Sequence, residues 1–356
     1  MPLTANEPEL QVDVAAAALP FAFGGPGCRA LLRSEPEDFQ VDEVTLVEPD
    51  GKGEHVLIRI EKRNANTDWV AGVLARHAGV PPRDVSYAGK KDRRALTRQW
   101  FSVRLAGKPE PDWGALESGD IRVLETARHG RKLRTGALRG NHFVIRARSL
   151  KGDTDRLQDR MQRLTEFGMP NYFGEQRFGR DNSNIIGARA MFTGSAGRLS
   201  RQKRGLYLSA ARSLLFNRVL AGRVAAGTWN RPVAGERLML DGSRNSFKPE
   251  CIDSEILQRI AGMDIHPSGP LWGRGRLQVD GEVERLELEA VAALGEFRKG
   301  LEDCGLKQER RALRARVSHF SWTITGNELV LAFYLPRGSY ATALLRECLD
   351  YQTESG

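Results

Sequence analysis

The sequence predicts an α/β (α+β) chain of two domains. Three observations carry this. Segments that alternate apolar and polar residues, as half-buried strands do, recur from His55 to Leu335. Between them lie stretches with helical apolar spacing. A length of 356 residues also exceeds what one ordinary core accommodates.

His55 to Ile60 alternates, with Val56, Ile58 and Ile60 on one face. Thr67 reads as an N-cap with Asp68 in the first turn. The helix it opens runs from about Asp68 to Ala78 and stops at Gly79, before Pro81-Pro82. Gln99 to Leu105 is the next strand, with Phe101, Val103 and Leu105 inward, and His142 to Arg148 another, with Phe143, Ile145 and Ala147 inward. After Ala190 the texture changes: GSAGRLSRQKRG is small and basic and marks a boundary near Gly194. Arg212 to Val224 reads as a helix, Gly227 to Pro249 and Pro267 to Gly275 as loop-rich. Leu286, Leu288, Val291, Leu294, Phe297 and Leu301 predict one helix over Glu284 to Cys304. Leu329 to Leu335 is a strand, broken by Pro336 and Gly338, and Ser339 stands as the cap of a last helix through Leu349.

Hydrophobic residues at 40% and charged residues at 28% are those of a soluble globular protein. A net charge of +9 and a pI near 9.6 point to a polyanionic partner. No Asp or Glu lies between Arg128 and Arg148 or between Arg198 and Arg218, which suggests basic surface bands. Cys28, Cys251, Cys304 and Cys348 form no C-x-x-C and read as buried free thiols in a reducing cytoplasm. The first residues, MPLTANEPELQVDV, lack a basic n-region, and the apolar run Ala15 to Phe23 contains Pro20 and is too short to span a membrane. No paired His spacing, acidic cluster, phosphate-binding glycine loop or dinucleotide fingerprint is present, so neither a metal nor a nucleotide cofactor is expected. A metal-dependent nuclease would lack its ligands.

The most informative segment is Tyr87 to Gln99, YAGKKDRRALTRQ. It sets one acid, Asp92, among Lys90, Lys91, Arg93, Arg94 and Arg98. A carboxylate held inside positive charge stays ionised, which suits a nucleophile or a stabiliser of a cationic transition state. The same cations suit a polyanion that approaches it. The plain alternative is a solvated basic turn with one structural ion pair.

Gly89, Lys91-Asp92, Ala95, Thr97 and Gln99 resemble the signature of the TruD family of tRNA pseudouridine synthases. NYFGEQRFGR (Asn171 to Arg180), PEDFQVDE (Pro36 to Glu43), RKLRTGALRGNHF (Arg131 to Phe143) and LPRGSYATALLRE (Leu335 to Glu347) are similar to further stretches of that family, in its order. The resemblance implies a discontinuous pseudouridine-synthase catalytic sheet domain, residues 1–193 and 310–356, with an inserted α+β domain at 194–309. It implies conversion of uridine to pseudouridine in tRNA, at position thirteen of the D-arm, without a cofactor. It implies that Asp92 is the catalytic residue and that Phe39, Asn171, Phe173 and Tyr340 contact the target nucleotide, with Lys91 either setting the charge beside Asp92 or touching phosphate. Some relatives carry Phe where this chain has Tyr340.

The residues have plainer roles open to them. Phe39, Phe173 and Tyr340 suit a core, Phe39 as the inward partner of Val41, and Asn171 after Pro170 suits a turn. An aromatic beside a base gives a stacking surface, and an amide can both donate and accept toward a uracil edge. Arg131, Lys132 and Arg134 are expected on the RNA backbone, although their stretch also suits an exposed hairpin. The competing class is an RNA-binding or RNA-folding factor on the same scaffold without turnover. The oligomeric state is open, with a monomer compatible.

Overall fold

A computed structural model describes residues 19–353. The opening stretch read for a leader, and residues 15–18 of the apolar run, lie outside them. The chain forms two compact units, one of Gly25–Met169 with the chain from Ala315 onward, the other of residues 19–24 with Pro170–Arg314.

A ten-stranded sheet carries the first unit. Its main path runs Ser318–Thr325, Glu328–Pro336, Leu138–Gly152, Phe39–Thr45, Leu96–Arg104, His55–Arg63, Ile121–His129. Neighbours are antiparallel except Phe39–Thr45 and Leu96–Arg104, which run parallel. Cys28–Leu32 adds to Leu138–Gly152, and Val85–Tyr87 adds to Leu96–Arg104. The expected strands all form, at His55–Arg63, Leu96–Arg104, Leu138–Gly152 and Glu328–Pro336, the second ending one residue before Leu105. Val56, Ile58, Ile60, Phe101 and Val103 form one buried face with Val70 and Leu74 of the helix Thr67–His77. That helix is capped by Asn66, and Thr67 is its first residue. The last helix is Ala341–Cys348 with Tyr340, not Ser339, at its N-cap; Ser339 instead closes a turn onto Pro336.

The second unit holds a four-stranded sheet, Ser246–Phe247, Leu238–Leu240, Ile265–Leu271 and Glu309–Ala312, among five α-helices. Its helix Arg201–Ala225 starts well before Arg212, because Ser200 accepts from the Lys203 N–H and starts it through exposed basic turns that carry no apolar stripe. The expected boundary near Gly194 falls instead on the loop between Ser183–Phe192 and this helix, which pack on each other. The chain passes between units at 169/170 and 314/315. The single helix read over Glu284 to Cys304 is two, Gly281–Ala290 and Gly295–Asp303, joined by a tight turn at Ala292–Leu294. Val291 and Leu294 at that turn stay buried, which is why the apolar spacing reads as unbroken. Cys251 is exposed, contrary to a uniformly buried set of thiols; its loop lies just before the helix Ser254–Ala261.

Candidate active site

Asp92 lies in the loop 88–95, between Val85–Tyr87 and Leu96–Arg104. The two flanking strands pair with each other antiparallel, so the loop closes a hairpin. Gln99 is fully buried and donates from Nε2 to the Gly89 carbonyl (3.1 Å). Its Oε1 accepts from the Thr67 hydroxyl (3.0 Å), whose oxygen in turn accepts from the Lys91 N–H (3.0 Å). The Asn64 N–H donates to the Ala95 carbonyl (3.1 Å), and the Gly136 N–H to the Ala88 carbonyl (2.7 Å). The motif's Gly and Gln are therefore loop-setting residues, and the loop is held along its length.

The charges around Asp92 differ from those its sequence neighbours suggest. Lys90 pairs with Asp68 (2.6 Å), Lys91 with Glu43 (2.5 Å) and Arg98 with Glu61 (2.8 Å). Arg33 bonds the Asp92 carboxylate, Nη2 to Oδ2 at 3.2 Å. The Asp92 carbonyl accepts from the ammonium of Lys62 (2.8 Å), which also donates to the Ala65 carbonyl (2.7 Å). Lys62 is sealed from solvent, and burial pulls its ammonium down to about 8; Lys91 acts in the same sense and Asp92 in the opposite one. Burial, with the bond to Asp68, pushes the Tyr87 hydroxyl up to about 12.

Arg33 also joins Asp92 to Phe39. Its guanidinium carbon lies 4.1 Å from the centroid of the Phe39 ring, which meets Phe143 edge-on. Phe39 is only 2% exposed, the inward partner of Val41. Asp38, beside it, is buried and held by two nitrogens of Arg148 (2.8 and 2.9 Å). Lys91 is buried on Glu43, whose other oxygen accepts the Trp100 N–H (3.3 Å). Tyr340 is half-buried at the start of its helix.

The basic loop 130–137 packs beside the same segment. Leu133 is buried with Ala88 and Trp100, while Arg131, Lys132 and Arg134 are exposed, Lys132 donating to the Arg83 carbonyl (2.6 Å). Arg337 donates to the Gly136 carbonyl (3.0 Å), and its N–H to the Arg139 carbonyl (2.9 Å). Gly140 is required where these stretches cross: an added Cβ would lie 2.2 Å from the Leu335 carbonyl oxygen. Four of the five motif stretches are thus linked within one unit, two of them bonding directly to the Asp92 loop.

The fifth belongs to the second unit. There Asn171 donates from Nδ2 to the Ala312 carbonyl (2.9 Å), and its Oδ1 accepts from Arg311 (2.6 Å). The Arg311 guanidinium lies 4.1 Å over the Phe173 ring, whose backbone N–H and C=O are both taken by the Asn217 side chain (2.9 and 3.0 Å). Asn171 and Phe173 are therefore neighbours in one Arg311-centred cluster.

Sequence reasoning missed Arg33, Lys62 and Glu43 at the loop, and Arg311 at the cluster. The signal for Lys62 and Glu43 was present: each continues an inward face, Val56-Ile58-Ile60-Lys62 and Phe39-Val41-Glu43, with a charge where an apolar residue belongs. Arg33 and Arg311 gave none, since what each touches is set by tertiary packing.

The sequence matches the family model for tRNA pseudouridine synthase D (TruD) over residues 18–196 and 188–348. A tRNA pseudouridine synthase D of Methylococcus capsulatus is 50% identical over 337 residues, covering 94% of this chain and 95% of the relative. One from Nitrosococcus oceani is 48% identical over 340 residues, with 94% and 95% covered. A solved Methanosarcina mazei structure, provisionally described as tRNA pseudouridine synthase D (TruD), matches at 22% identity with a TM-score of 0.73, over 93% of this chain and 95% of that one, and shows the fold. The chain belongs to the tRNA pseudouridine synthase D (TruD) family, isomerases that turn uridine into pseudouridine in tRNA.

Proposed function

We propose that this chain isomerises the uridine at position thirteen in the D-arm of tRNA, in the cytoplasm, with Asp92 as the reactive carboxylate. The reaction breaks the bond from C1′ to N1 of uracil and joins C1′ to C5, with no net change in composition. It requires the base to leave its stack and the freed ring to turn while held. A fixed carboxylate beside the sugar or base supplies the nucleophile or counter-charge for that exchange. The observation that carries this reading is that Pro36–Glu43 and Arg131–Phe143, far apart in sequence, both bond to the loop that holds Asp92, and that Leu335–Glu347 bonds to the second of them. Arg33 orients its carboxylate, and Lys62 and Thr67 fix its main chain. A factor that only bound RNA would need the basic surface of Arg131, Lys132 and Arg134 but no such fixed acid.

In this reading Tyr340 and the cluster of Asn171 and Phe173 contact the RNA, and Phe39 acts beneath Arg33 as a support. The unit of Pro170–Arg314 is the inserted domain.

The test is single-turnover conversion of tRNA, with a binding titration and a melting curve. Asp92→Asn and Asp92→Ala lose at least roughly a thousandfold in rate while tRNA affinity and melting temperature hold. A folded Asp92→Asn chain at near wild-type rate sinks the assignment. Replacing the target uridine by cytidine tests the position: pseudouridine forming elsewhere in that tRNA would remove the D-arm claim.

A further inference from the structure

We infer that Lys62 is a positioning residue of the reaction, a buried cation that fixes the main chain of Asp92 and supplies charge close to it. The inference rests on the catalytic reading of Asp92.

Lys62 closes the inward face of its strand, where Val56, Ile58 and Ile60 are core. A buried lysine is costly unless its charge is used. Here the ammonium is not spent on a carboxylate within the core. It donates to the carbonyls of Ala65 and Asp92. Those carbonyls belong to the turn leading into the helix Thr67–His77 and to the Asp92 loop, the two segments that the Thr67 hydroxyl also joins. Charge-assisted donors hold a carbonyl about twice as strongly as neutral ones. Tethering two carbonyls would need only a neutral donor. A cation bonded to the main chain of a reactive carboxylate, and felt by its charge, does more, because it adds a fixed field that costs no reorganisation during the reaction.

The charged groups facing Lys62 are few. Asp92 and Lys91 come from the loop. Across the sheet it pairs with Thr97 and Ile121, neither of which titrates. On its own strand Glu61 and Arg63 are engaged elsewhere, with Arg98 and Glu37. From the helix packed beside it, Asp68 is held by Lys90 and Tyr87. Burial brings the titration of Lys62 to about 8, into the range where the enzyme can be assayed. A neutral amine keeps two N–H groups, enough for both carbonyls, so the loop persists as the charge leaves. Activity should therefore fall as pH rises through that point, without unfolding.

The experiment is the single-turnover rate at saturating protein from about pH 6.5 to 9.5, with tRNA affinity and melting temperature at each pH. Wild type is expected to lose rate near pH 8 with affinity unchanged within threefold. Lys62→Met is expected to be slower by roughly tenfold to a hundredfold and to lose the limb. Lys62→Arg, whose charge does not titrate in this range, recovers part of the rate and moves the limb to higher pH. Uridine itself loses its N3 proton in alkali, and a limb of that origin would stay in place in Lys62→Arg. A flat wild-type profile overturns the inference without any variant. So does a limb unmoved in folded Lys62→Arg, or a folded Lys62→Met within twofold of wild type. If Asp92→Asn keeps turnover, the catalytic reading itself fails; if only the Lys62 results fail, Asp92 stands alone.

Discussion

The ammonium of Lys91 lies 2.5 Å from a carboxylate oxygen of Glu43, with 6% of one side chain and none of the other exposed. The lysine preceding Asp92 is thus a buried charge paired with Glu43. It anchors the loop to the strand Phe39–Thr45, while Glu43 also takes the Trp100 N–H of the neighbouring strand. Removing one partner of a buried pair strands the other charge, at a cost of about 3–5 kcal/mol. Glu43→Ala should therefore destabilise the protein by that order in urea unfolding, and Lys91→Met with Glu43→Gln together by much less. Loss of less than about 1 kcal/mol in Glu43→Ala would mean that the pair is open to water.

Arg33 touches two groups that must stay in register, the Asp92 carboxylate and the Phe39 ring. A hydrogen bond between charged groups contributes about 1.5–3 kcal/mol. If it is felt at the transition state, Arg33→Ala slows single-turnover conversion by roughly tenfold to a hundredfold. Arg33→Lys keeps the charge but loses the flat contact with the ring, so it should fall between. An Arg33→Ala protein that folds and turns over like wild type would show that the carboxylate is oriented by other contacts.

Burial of Lys62 has a stability signature of opposite sign to its effect on rate. Its ammonium titrates near 8 in the folded chain against 10.5 in the unfolded one. Below about 8 both states are charged, and the cost of burial is fully present. Between the two values the unfolded chain binds more protons, so stability rises with pH. The contribution is on the order of 3 kcal/mol, since each unit is worth about 1.4. Urea midpoints of wild type and Lys62→Met should therefore diverge in favour of wild type between about pH 8 and 10.5. Parallel curves would place the titration elsewhere.

Much of this was legible in the chain because strands write their faces at every second residue. Val56 to Ile60, Phe101 to Leu105 and Phe143 to Ala147 all lie where alternation puts them. The loop around Asp92 stood out because a single acid in a basic run is unusual, and its motif residues Gly89 and Gln99 bond each other across ten positions. The partners of the nearby cations were not. Lys91 reaches Glu43 across 48 residues, and Arg33 reaches Asp92 across 59. Local charge counting assigns such cations to the nearest acid, whereas the sheet brings them to others. The helix Arg201–Ala225 was truncated in the same way, since its first turns are solvated and show no apolar period.

The exposed cations of the loop 130–137 lie beside the Asp92 segment, joined to it through the Gly136 N–H on the Ala88 carbonyl. Arg131 and Arg134 are exposed, and Lys132 donates to the Arg83 carbonyl. RNA phosphates taken up by such groups release counterions, so affinity falls with salt in proportion to the number of phosphates neutralised. Replacing Arg131, Lys132 and Arg134 with Ala should weaken tRNA binding. Each phosphate that the variant no longer neutralises should lower the log–log salt slope by roughly 0.7 to 0.9. The folded core should not change, because the anchor of the loop is Leu133, buried against Ala88 and Trp100. The single-turnover rate at saturating protein should hold within a few-fold, since the loop meets the Asp92 segment through Leu133 and its main chain, which the three substitutions leave in place. A triple variant with wild-type slope and affinity would route the RNA away from this loop, and one that binds normally but fails to turn over would make the loop part of the chemistry instead.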